Sequence, residues 1–422
     1  MTMLLMDRNR ATTGLAERVT RVAFILYVVY RLVGVTQPFR DTDLAANNDP
    51  NPINRIVDTV IPFISVLCLW PKRSTVLTLI RREKFLTLLI FWCLASTLWA
   101  DFPFISLKAA VRLIGSTIVV LAFFLNAKTT TDALKQIKQI LKIYIPLSFL
   151  AILLVPAATQ WEWPAWRGLT THKNTLGQIS FISAVVLAYG IRELTAKKRL
   201  VAGGFLLSAV VLVLGSKSTT CLIALMSVCL MSTWLFVDRR AGRLVALALL
   251  VCLLSLTALG GILDLDKIFG AFGKDTTFTD RTDLWPVIID EAKSHPILGC
   301  GFNGFWVVDN PSVLGLYAWD QFPWKPTEAH EGYVDLFNEI GAVGVLLLAL
   351  MILTYFKSLM KLRKPLYWKW FFIGILIVNF TESTLFRPSD FLSWMFVMSY
   401  LALYVELIRQ ESYARGHVAA AA

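Results

Sequence analysis

Charge is what this sequence has least of. Asp, Glu, Lys and Arg make up 17% of its 422 residues, where a soluble globular chain carries roughly 25%. With 56% of residues hydrophobic, the chain cannot clothe itself in a water-facing surface, which excludes an ordinary soluble domain. Histidine is rarer still, with four. No His, Cys, Asp and Glu group has metal-ligand spacing, so neither a metal nor a cofactor is expected. Of the six cysteines, Cys68, Cys93, Cys221, Cys229 and Cys252 lie in apolar blocks and read as small hydrophobes. Cys300 alone lies in a polar loop, so no intrachain disulfide is expected there. The basic stretch through Arg21 lacks a cleavable signal pattern, so the first apolar block is expected to stay as an anchor.

What fills the chain is a series of long apolar runs. About twelve are legible, near 20–34, 56–70, 85–99, 104–125, 139–156, 175–191, 200–214, 219–237, 244–262, 333–356, 366–381 and 391–408. Runs of this length mark membrane helices. The fold class is therefore an all-α polytopic membrane protein. A net charge of +12 on a soluble chain would suggest nucleic acid. Here the cations flank apolar blocks and report topology instead. With the N-terminus in the cytoplasm, the inside segments hold 27 Lys and Arg and the outside stretches 12. Every inside loop is short and basic, as the positive-inside rule requires. Both termini are expected inside, in a bacterial inner membrane, with the long loop outside. The chain then divides into helices 1–9 over 1–262, a periplasmic loop domain over 263–332, and helices 10–12 with a cytoplasmic tail over 333–422. The loop contains an amphipathic stretch, Leu284 to Lys293, and is expected to fold as a helical cap.

Candidate chemistry gathers on the outer face. Trp166–Gly177, WRGLTTHKNTLG, puts Arg167, His172 and Lys173 at the mouth of the sixth apolar segment, where a plain helix cap is the competing reading. Gly215–Thr220, GSKSTT, holds Lys217 in almost no loop. A snorkelling lysine in a tight turn is the alternative, and a phosphate-binding loop is excluded by the missing upstream glycine and strand. Asp280–Trp285, DRTDLW, carries Arg281 and precedes PILGCGFNGFW. Its glycines spell a dinucleotide fingerprint by chance, since no βαβ pattern follows; they are expected to make a tight turn. Glu328–Tyr333, EAHEGY, places His330 at a helix start beside Glu328 and Glu331, with Glu339 further along. Carboxylates there favour the charged imidazole and can orient it as a base. Within the membrane, Lys108 and Arg112 share one face of the fourth segment, roughly 12 Å deep for Arg112 at 1.5 Å per residue. Such buried cations usually mark a site. The set suits a large polyanion at a membrane, and a lipid diphosphate best.

At these residues the chain resembles the O-antigen ligase and polymerase superfamily, and most closely its exopolysaccharide polymerase branch. The resemblance is carried by WRGLTTHKNTLG, GSKSTT, RTDLW with PILGCGFNGFW, and AHEGYVDLFNEIGAVG, in that order and on one face. It implies a membrane glycosyltransferase of the GT-C-like kind with a periplasmic cap. Such an enzyme uses undecaprenyl-diphosphate-linked oligosaccharide as donor and a glycan as acceptor, and acts by metal-independent inversion. The family's histidine before the tenth helix falls on His330, the expected base, and its loop arginine falls on Arg281. The arginine of its short outer turn is Lys217 here, and the asparagine after the histidine is Glu331. The resemblance leaves Arg167, Lys217, Lys173, Arg112 and Lys108 to hold the diphosphate, with His172, Glu328, Glu331 and Glu339 in support. Membrane lipids, a flippase and a chain-length regulator are the expected partners, and nucleic acid is not. Two other readings stay open: a ligase moving a finished glycan onto lipid A-core or protein, and a transporter. Against the latter, no internal repeat is visible and the candidate residues lie outside the midplane.

Overall fold

A computed structural model describes residues 2–35, 52–160, 165–237, 281–307, 309–318 and 326–421. The chain is almost wholly helical there. The elements are α1 (Thr2–Val35), α2 (Pro52–Leu69), α3 (Arg73–Glu83), α4 (Phe85–Ala95), α5 (Pro103–Asn126) and α6 (Thr131–Leu154). A two-stranded hairpin follows, β1 (Thr159–Gln160) and β2 (Ala165–Trp166), antiparallel with Thr159 opposite Trp166. Then come α7 (Lys173–Ala188), α8 (Ala196–Gly215), α9 (Thr219–Val237), α10 (Arg281–Ala292), α11 (Pro311–Ala318), α12 (Gly332–Leu359), α13 (Lys369–Val378) and α14 (Phe391–Ala421).

Helices stand at eleven of the apolar segments read from the sequence, and the segment near 244–262 lies outside the described residues. Among the described residues, seven helices are long and apolar enough to cross a membrane: Asn54–Glu83, Pro103–Asn126, Thr131–Leu154, Lys173–Glu193, Ala196–Gly215, Gly332–Leu359 and Phe391–Arg415. Phe85–Leu98, Thr219–Ser232 and Lys369–Val378 are shorter. The chain is a multi-pass membrane protein. The basic stretch at 71–84, read as a loop, continues the second segment as α3.

Burial sorts the helices. The apolar window of α14 is 89% buried, that of α7 72% and that of α5 61%, against 17% for Asn54–Glu83. A helix apolar on every side belongs inside the bundle. So α14 is the axis, with Trp394, Phe396 and Tyr400 buried and ringed by aromatics of α1, α12 and α13.

The described residues between α9 and α12 have a small core of their own, built on Leu284, Ile288, Cys300, Phe305, Trp306, Val313, Leu316 and Ala329. They are not only a cap on the surface. At Gly341 (φ 64°, ψ −174°) α12 leaves helical geometry, and the segment after α10 fills the gap. Cys300 and Gly301 donate their N–H groups to the carbonyls of Asn338 and Glu339 at 2.9 and 3.0 Å, and Ala342 donates to Pro296 at 2.9 Å. The broken helix thus has its backbone groups satisfied by protein, as a low-dielectric setting demands. Glycine is needed on both sides. A Cβ on Gly341 would meet the Ile297 carbonyl at 2.2 Å, and one on Gly299 the Glu339 carbonyl at 2.4 Å. The turn predicted for these glycines is therefore a splice into α12.

Candidate active site

The site is built at the end of the bundle where α7, α9, α12 and α14 begin. Glu331 caps α12 by accepting the Val334 N–H, so its side chain is spent on the helix start. Burial pushes its carboxyl up to about 7. The residues just before it are pinned from two sides. Ala329 donates its N–H to Asp335 at 3.0 Å, and its carbonyl accepts Trp285 Nε1 at 2.9 Å. His330 is left in the left-handed region (φ 52°), a costly conformation for a residue with a Cβ. Strain of this kind persists where its surroundings over-determine it, and it clusters at functional sites.

That conformation places the imidazole between two carboxylates. His330 Nδ1 lies 3.0 Å from Glu328 Oε1 and 3.6 Å from Glu382 Oε2. The other oxygen of Glu382 accepts Asn174 Nδ2 at 2.6 Å, and the Asn174 N–H donates to His172 Nδ1 at 3.3 Å. Glu382 is buried and Glu328 partly exposed. Burial works against a charge on His330, but Glu328 and then Glu382 outweigh it and raise the imidazole to about 9. His172 goes the other way. Burial lowers it, Glu382 opposes, and the neighbouring His330 and Lys173 push it down further. The two histidines are therefore held differently: Glu328 and Glu382 favour the charged form of His330, and burial favours the neutral form of His172, whose Nδ1 accepts the Asn174 N–H at the start of α7.

Glu328, His330 and Glu382 bring three ligand-type atoms within 4.8 Å of one another, a grouping that sequence spacing did not foresee. The donor set fits a divalent cation in kind. The 3.0 Å contact of Glu328 with Nδ1 fits a proton-mediated pair equally well.

Behind this trio sits Arg387. Its Nη2 lies 2.9 Å from Asp335 Oδ2, and its Nη1 lies 2.6 Å from Glu339 Oε1 and 3.2 Å from Asn303 Oδ1. Burial opposes its charge, but Glu339 and Asp335 raise it well above the ordinary arginine range. Asp335 also accepts Trp306 Nε1 at 2.7 Å and the Ser383 hydroxyl. Glu339 accepts the Asn303 N–H at 3.0 Å. Glu339 thus locks the 379–390 loop and the PILGCGFNGFW segment onto α12, and the loop carries Glu382 to His330.

The other expected residues divide. Arg167 follows the hairpin, and its N–H donates to Ala158 at 2.8 Å. Its Nη1 reaches the Thr171 carbonyl at 3.2 Å, and its buried Nε–H has no acceptor among the described residues. Lys173 opens α7. Lys217 is exposed, with φ 51°, at the tip of the turn between α8 and α9. That turn packs on Gly177 and Trp166, and Thr220 bonds Thr381 beside Glu382. Arg281 is the first residue of α10, and its side chain lies outside the described residues. Arg112 does not join this group. It pairs with Asp58 of α2 at 3.1 Å, and Lys108 stands one turn earlier on α5. Sequence reasoning missed Glu382, Asn174, Asp335 and Arg387. Asn174 and Glu382 stand 208 positions apart, and Arg387 read only as a lone outside cation.

A family model described as O-antigen ligase matches residues 203–349, from within α8 into α12, which takes in Lys217, Arg281, His330 and Glu339. Among curated proteins, the exopolysaccharide production protein ExoQ of Rhizobium meliloti (strain 1021) is 27% identical over 290 residues, covering 64% of this chain and 64% of that protein. The chain is thus aligned to somewhat under two thirds of its relative's length. With the motifs in order and helices at the apolar segments, the chain is similar to the O-antigen ligase family over residues 203–349 and, over a longer alignment, to an exopolysaccharide production protein.

Proposed function

We propose that the chain is a membrane glycosyltransferase that polymerises undecaprenyl-diphosphate-linked oligosaccharide repeat units at the periplasmic face of a bacterial inner membrane. The observation that carries the reading is His330 held in a strained conformation between Glu328 and Glu382, with the open Arg167 donor on the adjoining loop. In the reaction, a hydroxyl oxygen of the acceptor sugar bonds to the anomeric carbon of the donor. The bond from that carbon to the diphosphate oxygen breaks on the opposite face, and its electron pair leaves with the diphosphate. The hydroxyl proton passes to the neutral form of His330, and Glu328 and Glu382 stabilise the imidazolium that results. Arg167, Lys173, Lys217 and Arg281 stabilise the departing diphosphate, as fixed cations do for charge that develops in a transition state. No metal is required in this scheme.

The test is transfer by purified protein in nanodiscs, using a defined lipid-linked repeat unit. Products longer than one repeat support polymerisation. Transfer only to an added lipid A-core acceptor supports the ligase reading, and no transfer at all removes the enzyme reading. Excess EDTA should leave the rate unchanged. If EDTA stops the reaction and a divalent cation restores it, the trio around His330 is a metal site and the base assignment fails.

A further inference from the structure

The 379–390 loop faces a second group of cations at its other end. Arg31, near the end of α1, is buried at 3% exposure. Its Nη1 donates to the Pro388 carbonyl and its Nη2 to the Tyr27 hydroxyl at 2.6 Å, and the guanidinium lies 4.8 Å from the Tyr27 ring centre. Its enclosed Nε–H has no acceptor among the described residues. Arg112 of α5 pairs through Nε with Asp58 at 3.1 Å, and Tyr30 donates to the same carboxylate oxygen at 3.0 Å. Lys108 is on the same face of α5 one turn earlier. The opposing charges are Asp58 and Asp390, and burial pushes the Asp390 carboxyl up to about 7.

A structural tie between α1, α2 and α5 needs one ion pair. Arg31 shares Asp58 with Arg112 and faces Asp390, yet its enclosed Nε–H is left without an acceptor among the described residues, and cations in this setting usually mark a ligand path. The bilayer is close by. On α5, Phe104, Leu107 and Val111 are exposed apolar residues that bracket Lys108 and Arg112. Helical side chains lean toward the N-terminus, so both cations reach toward the outer end of α5. A polymerase that joins two lipid-diphosphate-linked units must hold two diphosphates together.

Resting on that proposed reaction, we infer that Arg31, Arg112 and Lys108 form a second anion site. It takes the diphosphate of the acceptor's lipid carrier, while the Arg167 and Lys217 side holds the donor's. Glu382 and Pro388 sit on one short loop, six residues apart. Their backbones are therefore at most about 22 Å apart, at 3.3–3.6 Å per residue, a span one oligosaccharide repeat can bridge.

The test counts carriers by native mass spectrometry of protein in lipid, with undecaprenyl diphosphate bearing no sugar as the probe. Two should bind. Arg112→Gln should reduce this to one, Lys217→Ala should remove the other, and Arg112→Lys should restore partial occupancy. Should Arg31→Gln fail to fold, Arg112→Gln with an unchanged melting temperature carries the test. A single carrier on the unmodified protein, or two on Arg112→Gln, overturns the site. Competition by inorganic diphosphate with no lipid dependence shows a free-anion site and overturns the lipid assignment. Because no transfer is measured, two bound carriers with no polymer made would defeat the reaction and spare the site.

Discussion

His330 carries the heaviest burden of any single residue. A base of this kind contributes about 10²–10⁴-fold, so His330→Ala should lower transfer by that factor while the protein stays in the membrane. Its charge sets the pH dependence. With the imidazole raised to about 9, only the neutral fraction accepts a proton, so kcat/KM should climb with pH from 7 and level off near 9. Glu382→Gln removes one of the two carboxylates that raise it, and should move that limb to lower pH by about one unit or more. A flat profile in both proteins would contradict the assignment. The stability linkage has the opposite slope. The folded value lies above the ordinary 6.5, so the contribution is complete below about 6.5 and is lost as pH rises through about 9. The melting temperature of His330→Ala should therefore vary less over that interval than that of the unmodified protein. His330 was legible in the sequence because its carboxylate Glu328 and the helix start lie within a few residues of it. Glu382 and Arg387 were not, because their partners on α7 and α12 become neighbours only once α13 turns the chain back.

At the scale of elements, the starts of α12 and α14 are positioned by the splice at Gly341. Hydropathy marked α12 as one continuous span, since a break that is sealed by backbone hydrogen bonds to protein leaves no trace in apolar content. The glycines of PILGCG and EIGAVG were visible, but not that each makes room for the other. Their roles can be separated from ordinary helix glycines. Gly341→Ala and Gly299→Ala force a Cβ into a carbonyl at positive φ, and each should cost at least about 1–3 kcal/mol, read as a lowered melting temperature in detergent. Gly203→Ala in α8, where a Cβ meets nothing within 4 Å, should leave stability level or raise it by up to about 1 kcal/mol. Transfer should fall in the first two variants even where they fold, because Asn338 and Glu339, whose carbonyls hold the spliced segment, also lie on the face that Arg387 clamps.

For the whole molecule, the question is which way the site faces. The apolar segments and the charge of alternate loops were legible from the start, because membrane insertion is decided by local stretches of sequence rather than by distant contacts. The candidate residues share one end of the bundle, so a single orientation decides the function of all of them. With both termini inside, the exposed Lys293 just after α10 is periplasmic, and Lys197 at the start of α8 is cytoplasmic. Single cysteines at these two positions, in a chain whose own cysteines are changed to alanine, give the measurement. A membrane-impermeant maleimide applied to spheroplasts should label the first and miss the second until the membrane is opened. The reverse pattern would put His330 and Arg167 in the cytoplasm, where the segments that carry 27 Lys and Arg would then be exported against the membrane potential. A lipid-linked donor on the far leaflet could not reach the site, and polymerisation at the periplasmic face would be excluded whatever the chemistry of the pocket.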